Sequence, residues 1–158
     1  MSINILFAWL FTDHRMDGWP LMDNPLWTVL ICLMYVYSVK VLGPRFMENR
    51  SPLELRGLLM VYNVFQVLFN AWLFWEVGQS GWFYPTNIFC QPVDYSYNPT
   101  AIRAMHAGYW FFISKFIDFF DTVFFILRKK SNQVTALHVI HHGVIPVFMY
   151  PGIRFLNG

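Results

Sequence analysis

Residues 134–150 read VTALHVIHHGVIPVFMY. The stretch contains no Asp, Glu, Lys or Arg, yet it holds three histidines, His138, His141 and His142. On a helix, offsets of three and four residues fall on one face, so the His-x-x-His-His spacing groups the rings. The length approaches the ~20 apolar residues that cross a bilayer. Ionisable side chains inside such a run are costly and mark function.

Three further apolar blocks precede it, at residues 26–42, 58–75 and 110–127. The 158-residue chain is 56% hydrophobic and 13% charged, where a soluble domain carries roughly 25% charged residues. Soluble helices need a polar face that these blocks lack. The expected architecture is therefore all-α, a polytopic transmembrane helical bundle of about four spans, with residues 1–158 in a single domain. Trp27, Trp75, Trp82 and Trp110 flank the blocks as interfacial aromatics would. Ile3 to Phe11 is apolar but short, lacks a basic stretch before it and a cleavage site after it, and reads as an interfacial or lumenal segment. A net charge of +2 argues against a nucleic-acid partner.

Basic residues orient the spans. Arg45, Arg50 and Arg56 lie between the first and second blocks, and Arg128, Lys129 and Lys130 between the third and fourth. The other connections hold Arg103, and Arg15 among Asp13, Asp17 and Asp23. Positive-inside reasoning places the 43–57 and 128–133 loops in the cytosol, with the N-terminus and the 76–106 loop opposite. Cys32 reads as a small apolar filler within the first span. Cys90 falls in the non-cytosolic loop, where a free thiol and a disulfide are both open.

Polar residues inside the spans agree in depth. At 1.5 Å per residue, Asn63 and Gln66 lie about 9–14 Å from the cytosolic end of the second span. Asp121 and Asp118 lie about 9–14 Å into the third and Lys115 about 18 Å, and the histidines lie about 6–12 Å into the fourth. Helices running in alternating directions thus build one polar layer, near enough to the cytosol for a water-soluble head group to reach. Asn63, Gln66 and Asn70 also suit interhelical hydrogen bonding, and Lys115 with Asp118 a structural ion pair.

Three imidazoles admit two chemistries. They can share a metal ion, as in the histidine boxes of membrane di-iron oxygenases, but those use several boxes. This chain has five histidines in all, and His14 and His106 lie toward the other side. Imidazole is also a nucleophile and general base near neutral pH, and Asp118 or Asp121 is placed to orient one ring. Arg128, Lys129 and Lys130 at the cytosolic mouth suit the phosphates of a carrier such as coenzyme A, with a fatty chain lying between the helices.

These residues resemble the ELO family of very-long-chain fatty acid elongases. His138-Val-Ile-His141-His142, preceded by Gln133-Val-Thr-Ala-Leu, is similar to its histidine box. Lys115-Phe-Ile-Asp118-Phe-Phe-Asp121-Thr122 resembles its Lys-x-x-Glu-x-x-Asp-Thr motif. Tyr62-Asn63-Val-Phe-Gln66 resembles its second-span pattern. Asp17-Gly-Trp19-Pro20-Leu21-Met22 and Gly43-Pro44-Arg45-Phe-Met-Glu-Asn-Arg50 look like its N-terminal segment and first cytosolic loop.

The resemblance implies a multi-pass endoplasmic reticulum enzyme with a lumenal N-terminus. Such an enzyme condenses a long acyl-CoA with malonyl-CoA, giving a 3-oxoacyl-CoA two carbons longer, carbon dioxide and CoA, through an acyl-imidazole. His141 would be the nucleophile, with His138 and His142 orienting it or relaying protons. Lys115, Asp118 and Asp121 would be supporting polar groups, and Asn63 and Gln66 would line the chamber. Neither a metal nor a further cofactor is implied. The bilayer, both CoA esters, other elongation-cycle enzymes and further copies of the chain are the implied partners. The chain departs from the pattern in having Asp118 where the motif has glutamate. Relatives of this kind have about seven spans, each of bilayer length, so the chain is expected to be an incomplete and, alone, inactive part of such an enzyme. Cys90 would pair with a cysteine in the remainder. A non-catalytic subunit that associates with a full elongase, and a histidine-box iron oxygenase, are the competing readings.

Overall fold

The computed structural model describes residues 12–83 and 93–156, and the described residues are organised as helices without strands. Cys90 and the apolar 3–11 segment lie outside them. Helix α1 spans Pro25–Met47 and α2 spans Arg56–Trp82. Helices α3, Pro99–Ile117, and α4, Phe119–Leu127, form one rod interrupted at Asp118, and α5 covers Ala136–Leu156.

Local chemistry sets the starts. Asn24 and Asn98 each stand before a proline, and their side-chain oxygens accept the N–H groups of Leu26 and Thr100. An Asn cap followed by Pro at the first helical position satisfies an orphan donor and pre-sets the backbone. Within α1 the Gly43 N–H bonds the Ser38 carbonyl, five residues back, which inserts one extra residue into that turn.

All four apolar blocks are helical, but each helix outruns its block. α1 and α2 are long and apolar enough to cross a membrane on length and composition alone. Only 22% of the α1 window and 6% of the α2 window are buried, unlike the core helix of a soluble protein. Leu33, Val61, Val67 and Phe74 all expose more than half of their surface. α3 and α5 carry the polar layer, which lowers their hydropathy. The third helix starts at Pro99, so Trp110 lies about 16 Å along it rather than at its end. Trp110 packs edge-on against Phe69 and Trp72 of α2.

The principal packing pairs are α1 with α5, α5 with α3, and α3 with α2. The 43–57 and 128–133 loops meet at one end. There the Leu53 N–H bonds the Leu127 carbonyl, and Lys129 Nζ donates to the Glu48 carbonyl. The N-terminal segment, residues 95–96 and the end of α5 meet at the other. Arg15 donates to the Ser96 carbonyl, Tyr95 to the Phe155 carbonyl and Tyr150 to the Met22 carbonyl. Buried Arg154 donates to the Asp13 carbonyl and to Asp17. Hydrogen bonds from Arg154 and then His14 hold the Asp17 carboxyl below its ordinary range. The basic loops thus share one end of the bundle, as their charge pattern requires.

Two apolar clusters fill the interior. Met16, Met22, Met105, Tyr109, Phe112 and Tyr150 pack near the N-terminal segment. Cys32, Tyr35, Val39, Phe119 and Val139 pack deeper, and Cys32 is the buried filler expected of it. Gly143 is where α5 touches α1. A Cβ there would lie 3.1 Å from Val36 Cγ2, so the close approach depends on glycine. Gly143→Leu is expected to cost about 1–3 kcal/mol through overpacking, read as a lowered thermal midpoint in detergent.

Candidate functional site

The polar layer is assembled by hydrogen bonds between helices. On one side, α2 meets the break between α3 and α4. Gln66 Nε2 donates to Asp118 Oδ1 at 2.8 Å and to the Tyr62 hydroxyl at 3.0 Å. Tyr62 in turn donates to the Ile117 carbonyl at 3.3 Å, a carbonyl beside the interruption at Asp118. Lys115 Nζ donates to Asp118 Oδ2 at 3.1 Å and lies 4.6 Å from the centre of the Phe111 ring. Aspartate at position 118 therefore still reaches Lys115, one methylene shorter than the glutamate of the resembled motif. Both partners are mostly buried, at 22% and 19% side-chain exposure.

On the other side, α1, α4 and α5 converge. The Tyr35 hydroxyl lies 2.7 Å from Thr122 Oγ1, and Thr122 Oγ1 lies 2.8 Å from His138 Nε2. The His138 and His142 rings are 4.5 Å apart by their centres, and those of His141 and His142 are 5.4 Å apart. Asp121 is half-buried between the Tyr62 hydroxyl and His138. His138 and His142 are partly buried and His141 is exposed. Pro146 has no N–H to give the carbonyl of His142, so the helix withholds that carbonyl's usual donor within the layer.

The structure thus brings together Gln66, Lys115, Asp118, Asp121, His138, His141 and His142. Asn63 is exposed on α2, and Asn70 bonds the Gln66 carbonyl of its own helix. Gln66 Oε1 is buried without a partner, an acceptor facing into the layer. Arg128 is partly buried, Lys130 is exposed and Lys129 is tied to Glu48, all at the end where α4 turns toward α5. His14 pairs with Asp17, and His106 contacts the Trp19 ring, both away from the layer. Among the described residues, no three His, Cys, Asp or Glu side chains are grouped to share an ion.

Tyr35 and Tyr62 were not singled out by the sequence as site residues. Their signal was the phenol itself, since a tyrosine hydroxyl buried inside an apolar helix must find a partner. With one tyrosine from α1 and one from α2, the layer draws on all four helical rods.

Residues 20–158 match a family model described as ELO, the GNS1/SUR4 family. The chain belongs to the ELO family. It is 54% identical over 149 residues to a very long chain fatty acid elongase of Aedes aegypti, covering 94% of this chain and 42% of that protein. It is 52% identical over 147 residues to very long chain fatty acid elongase 7 of Drosophila melanogaster, covering 93% and 45%. It is 47% identical over 146 residues to very long chain fatty acid elongase 1 of Homo sapiens, covering 92% and 52%. The chain spans about half the length of the curated relatives it matches. ELO membership makes this a polytopic membrane protein.

Proposed function

We propose that the full-length gene product is the condensing enzyme of fatty acid elongation, in the endoplasmic reticulum membrane with the 43–57 and 128–133 loops cytosolic and the N-terminus lumenal. The observation that carries this reading is the two hydrogen-bonded pairs, Lys115–Asp118 and Thr122–His138, beside the clustered rings of His138, His142 and His141. It supplies nucleophilic imidazole and buried charge together at a depth an acyl thioester can reach.

In this reading His141 attacks the thioester carbonyl of a long-chain acyl-CoA. A carbon–nitrogen bond forms, the carbon–sulfur bond breaks, and CoA leaves as a thiolate that takes up a proton. Malonyl-CoA then loses carbon dioxide, and its α-carbon attacks the acyl-imidazole. That returns His141 and releases a 3-oxoacyl-CoA two carbons longer. His138 and His142 hold or relay protons. Lys115, Asp118 and Asp121 fix the local charge, and Gln66, with Asn63 nearer the edge, lines the chamber. Arg128, Lys129 and Lys130 serve the CoA phosphates electrostatically. One contact supports acyl chemistry over an oxygenase: His138 Nε2 is hydrogen-bonded to Thr122 at 2.8 Å.

The test is the full-length gene product, purified into liposomes with long-chain acyl-CoA and carbon-labelled malonyl-CoA, under nitrogen with an iron chelator. Labelled 3-oxoacyl-CoA is the expected product. Activity that appears only with oxygen and iron points to the oxygenase reading. Coprecipitation with an active elongase and no intrinsic turnover points to a subunit. Either result overturns the proposal.

A further inference from the structure

We propose that Thr122, itself hydrogen-bonded to Tyr35, is a positioning residue that holds His138 as a single neutral tautomer, with its proton on Nδ1. The placement of protons follows from counting donors and acceptors along one chain of atoms. Tyr35 Oη is 2.7 Å from Thr122 Oγ1, which is 2.8 Å from His138 Nε2. Tyr35 is 6% exposed and Thr122 is fully buried, so water does not complete the set. Each hydroxyl has one proton to give.

Thr122 could accept from both Tyr35 and Nε2–H, but its own buried proton would then have no acceptor among the described residues, which leaves two directions. In the first, the Tyr35 hydroxyl donates to Thr122 and the Thr122 hydroxyl donates to a bare Nε2. Every proton in the chain then has an acceptor, and the ring proton sits on Nδ1. In the second, Nε2–H donates to Thr122, Thr122 donates to Tyr35, and the phenol proton has nowhere to go. Tyr35 is walled by Cys32, Val39 and Val139 and stacks on the Phe119 ring at 4.0 Å, and these side chains offer an O–H group no good acceptor. A buried donor without an acceptor is expensive, and a phenol is a better donor than acceptor, so the first direction prevails.

The consequence for the site is a division of roles among the three rings. The lone pair of His138 Nε2 is occupied by Thr122 and its Nδ1 carries hydrogen, so His138 has no free lone pair with which to attack a thioester. It presents an N–H beside His142, 4.5 Å away by ring centres, while the exposed His141 is left for attack. The first span thereby contributes to this chain the phenol that bonds Thr122, and Thr122 of α4 sets the state of His138. This catalytic consequence rests on the condensation reading above, whereas the tautomer does not.

The experiment uses the full-length gene product in lipid nanodiscs, with histidine labelled by nitrogen-15 and the His138 signals assigned by their loss in His138→Gln. In the unaltered protein, Nδ1 is expected in the protonated range and Nε2 in the bare range. Thr122→Val, which keeps the shape and removes the hydroxyl, is expected to mix the tautomers, and Thr122→Ser to restore Nδ1–H. Tyr35→Phe removes the phenol as donor and acceptor together, leaves Nε2 as the acceptor for the Thr122 proton, and is expected to keep Nδ1–H, while Thr122→Ala, which also removes the hydroxyl, provides a second mixing variant should Thr122→Val fold poorly. In condensation assays Thr122→Val is expected to lower kcat about tenfold with KM nearly unchanged, and Thr122→Ser to recover most of it. An Nε2-protonated His138 in the unaltered protein sinks the proposal. So does a tautomer unmoved in both Thr122→Val and Thr122→Ala. The expected nitrogen shifts in a protein that makes no 3-oxoacyl-CoA would instead overturn the condensation reading and leave the tautomer assignment standing.

Discussion

His141→Ala in the full-length gene product is expected to abolish 3-oxoacyl-CoA formation, with a loss of at least about a thousandfold, while the protein stays folded. That factor corresponds to roughly 4 kcal/mol of transition-state stabilisation, the scale of removing a covalent nucleophile. The expectation of an intact fold comes from where the ring sits. His141 is exposed on α5 and borders His142, whereas His138 is built into the Tyr35–Thr122 chain and His142 is partly buried. Truncating His141 removes an exposed ring without opening a cavity or orphaning a buried donor. The corresponding change at His138 strips an acceptor from Thr122 and mixes a stability loss into the activity loss. The check is paired: condensation rate, and thermal midpoint in detergent. A midpoint near that of the unaltered protein with no product supports the role of nucleophile. Activity within tenfold of the unaltered protein removes His141 from that role.

Asp118→Ala is expected to carry the largest stability loss of any single change in the layer, about 2–4 kcal/mol. The carboxylate accepts from Lys115 Nζ at 3.1 Å and from Gln66 Nε2 at 2.8 Å. With side-chain exposures of 22% and 19%, both members of the ion pair are largely out of water. Alanine would leave the ammonium without its counter-charge in an apolar setting. It would also leave the Gln66 amide with unused capacity at both ends, since Gln66 Oε1 already lacks a partner. Asp118→Glu restores the side chain of the resembled motif and keeps the charge, so it is expected to retain most of the stability. Unfolding midpoints for the two variants in the same detergent decide the matter. A midpoint for Asp118→Ala equal to that of the unaltered protein would falsify the claim that this pair holds α2 to the α3–α4 rod.

Much of this was legible in the chain. The four apolar blocks became helices because a membrane segment has to satisfy its own backbone, and length and hydropathy report that directly. The depth argument also reached a real contact: Gln66 meets Asp118, from different helices at matching depth. Other features were hidden for identifiable reasons. An apolar block marks where the chain meets hydrocarbon and not where a helix begins, so the third block begins at Trp110 while α3 begins at Pro99. The break at Asp118 has no proline or glycine to announce it. Tyr35 and Tyr62 were masked by the other aromatics of their spans, because composition does not separate a phenol facing lipid from one facing a threonine. Asn63 and Gln66 have similar chemistry and depth, yet only Gln66 points at Asp118.

The sequence by itself determined the class of the protein, the sharing of one end by its two basic loops, and the depth of its polar layer. Each of these is a property along the helix axis, set by hydropathy, charge and a fixed rise per residue. Tertiary structure alone decided which groups at that depth touch. Packing α1 against α5, through Gly143, brings Tyr35 to Thr122 and Thr122 to His138. Packing α2 against α3 hands Asp118 to Gln66. Azimuth about a helix and the order of its neighbours come from side chains fitting together, so the sequence located the histidine box and only the packing gave its rings their separate surroundings.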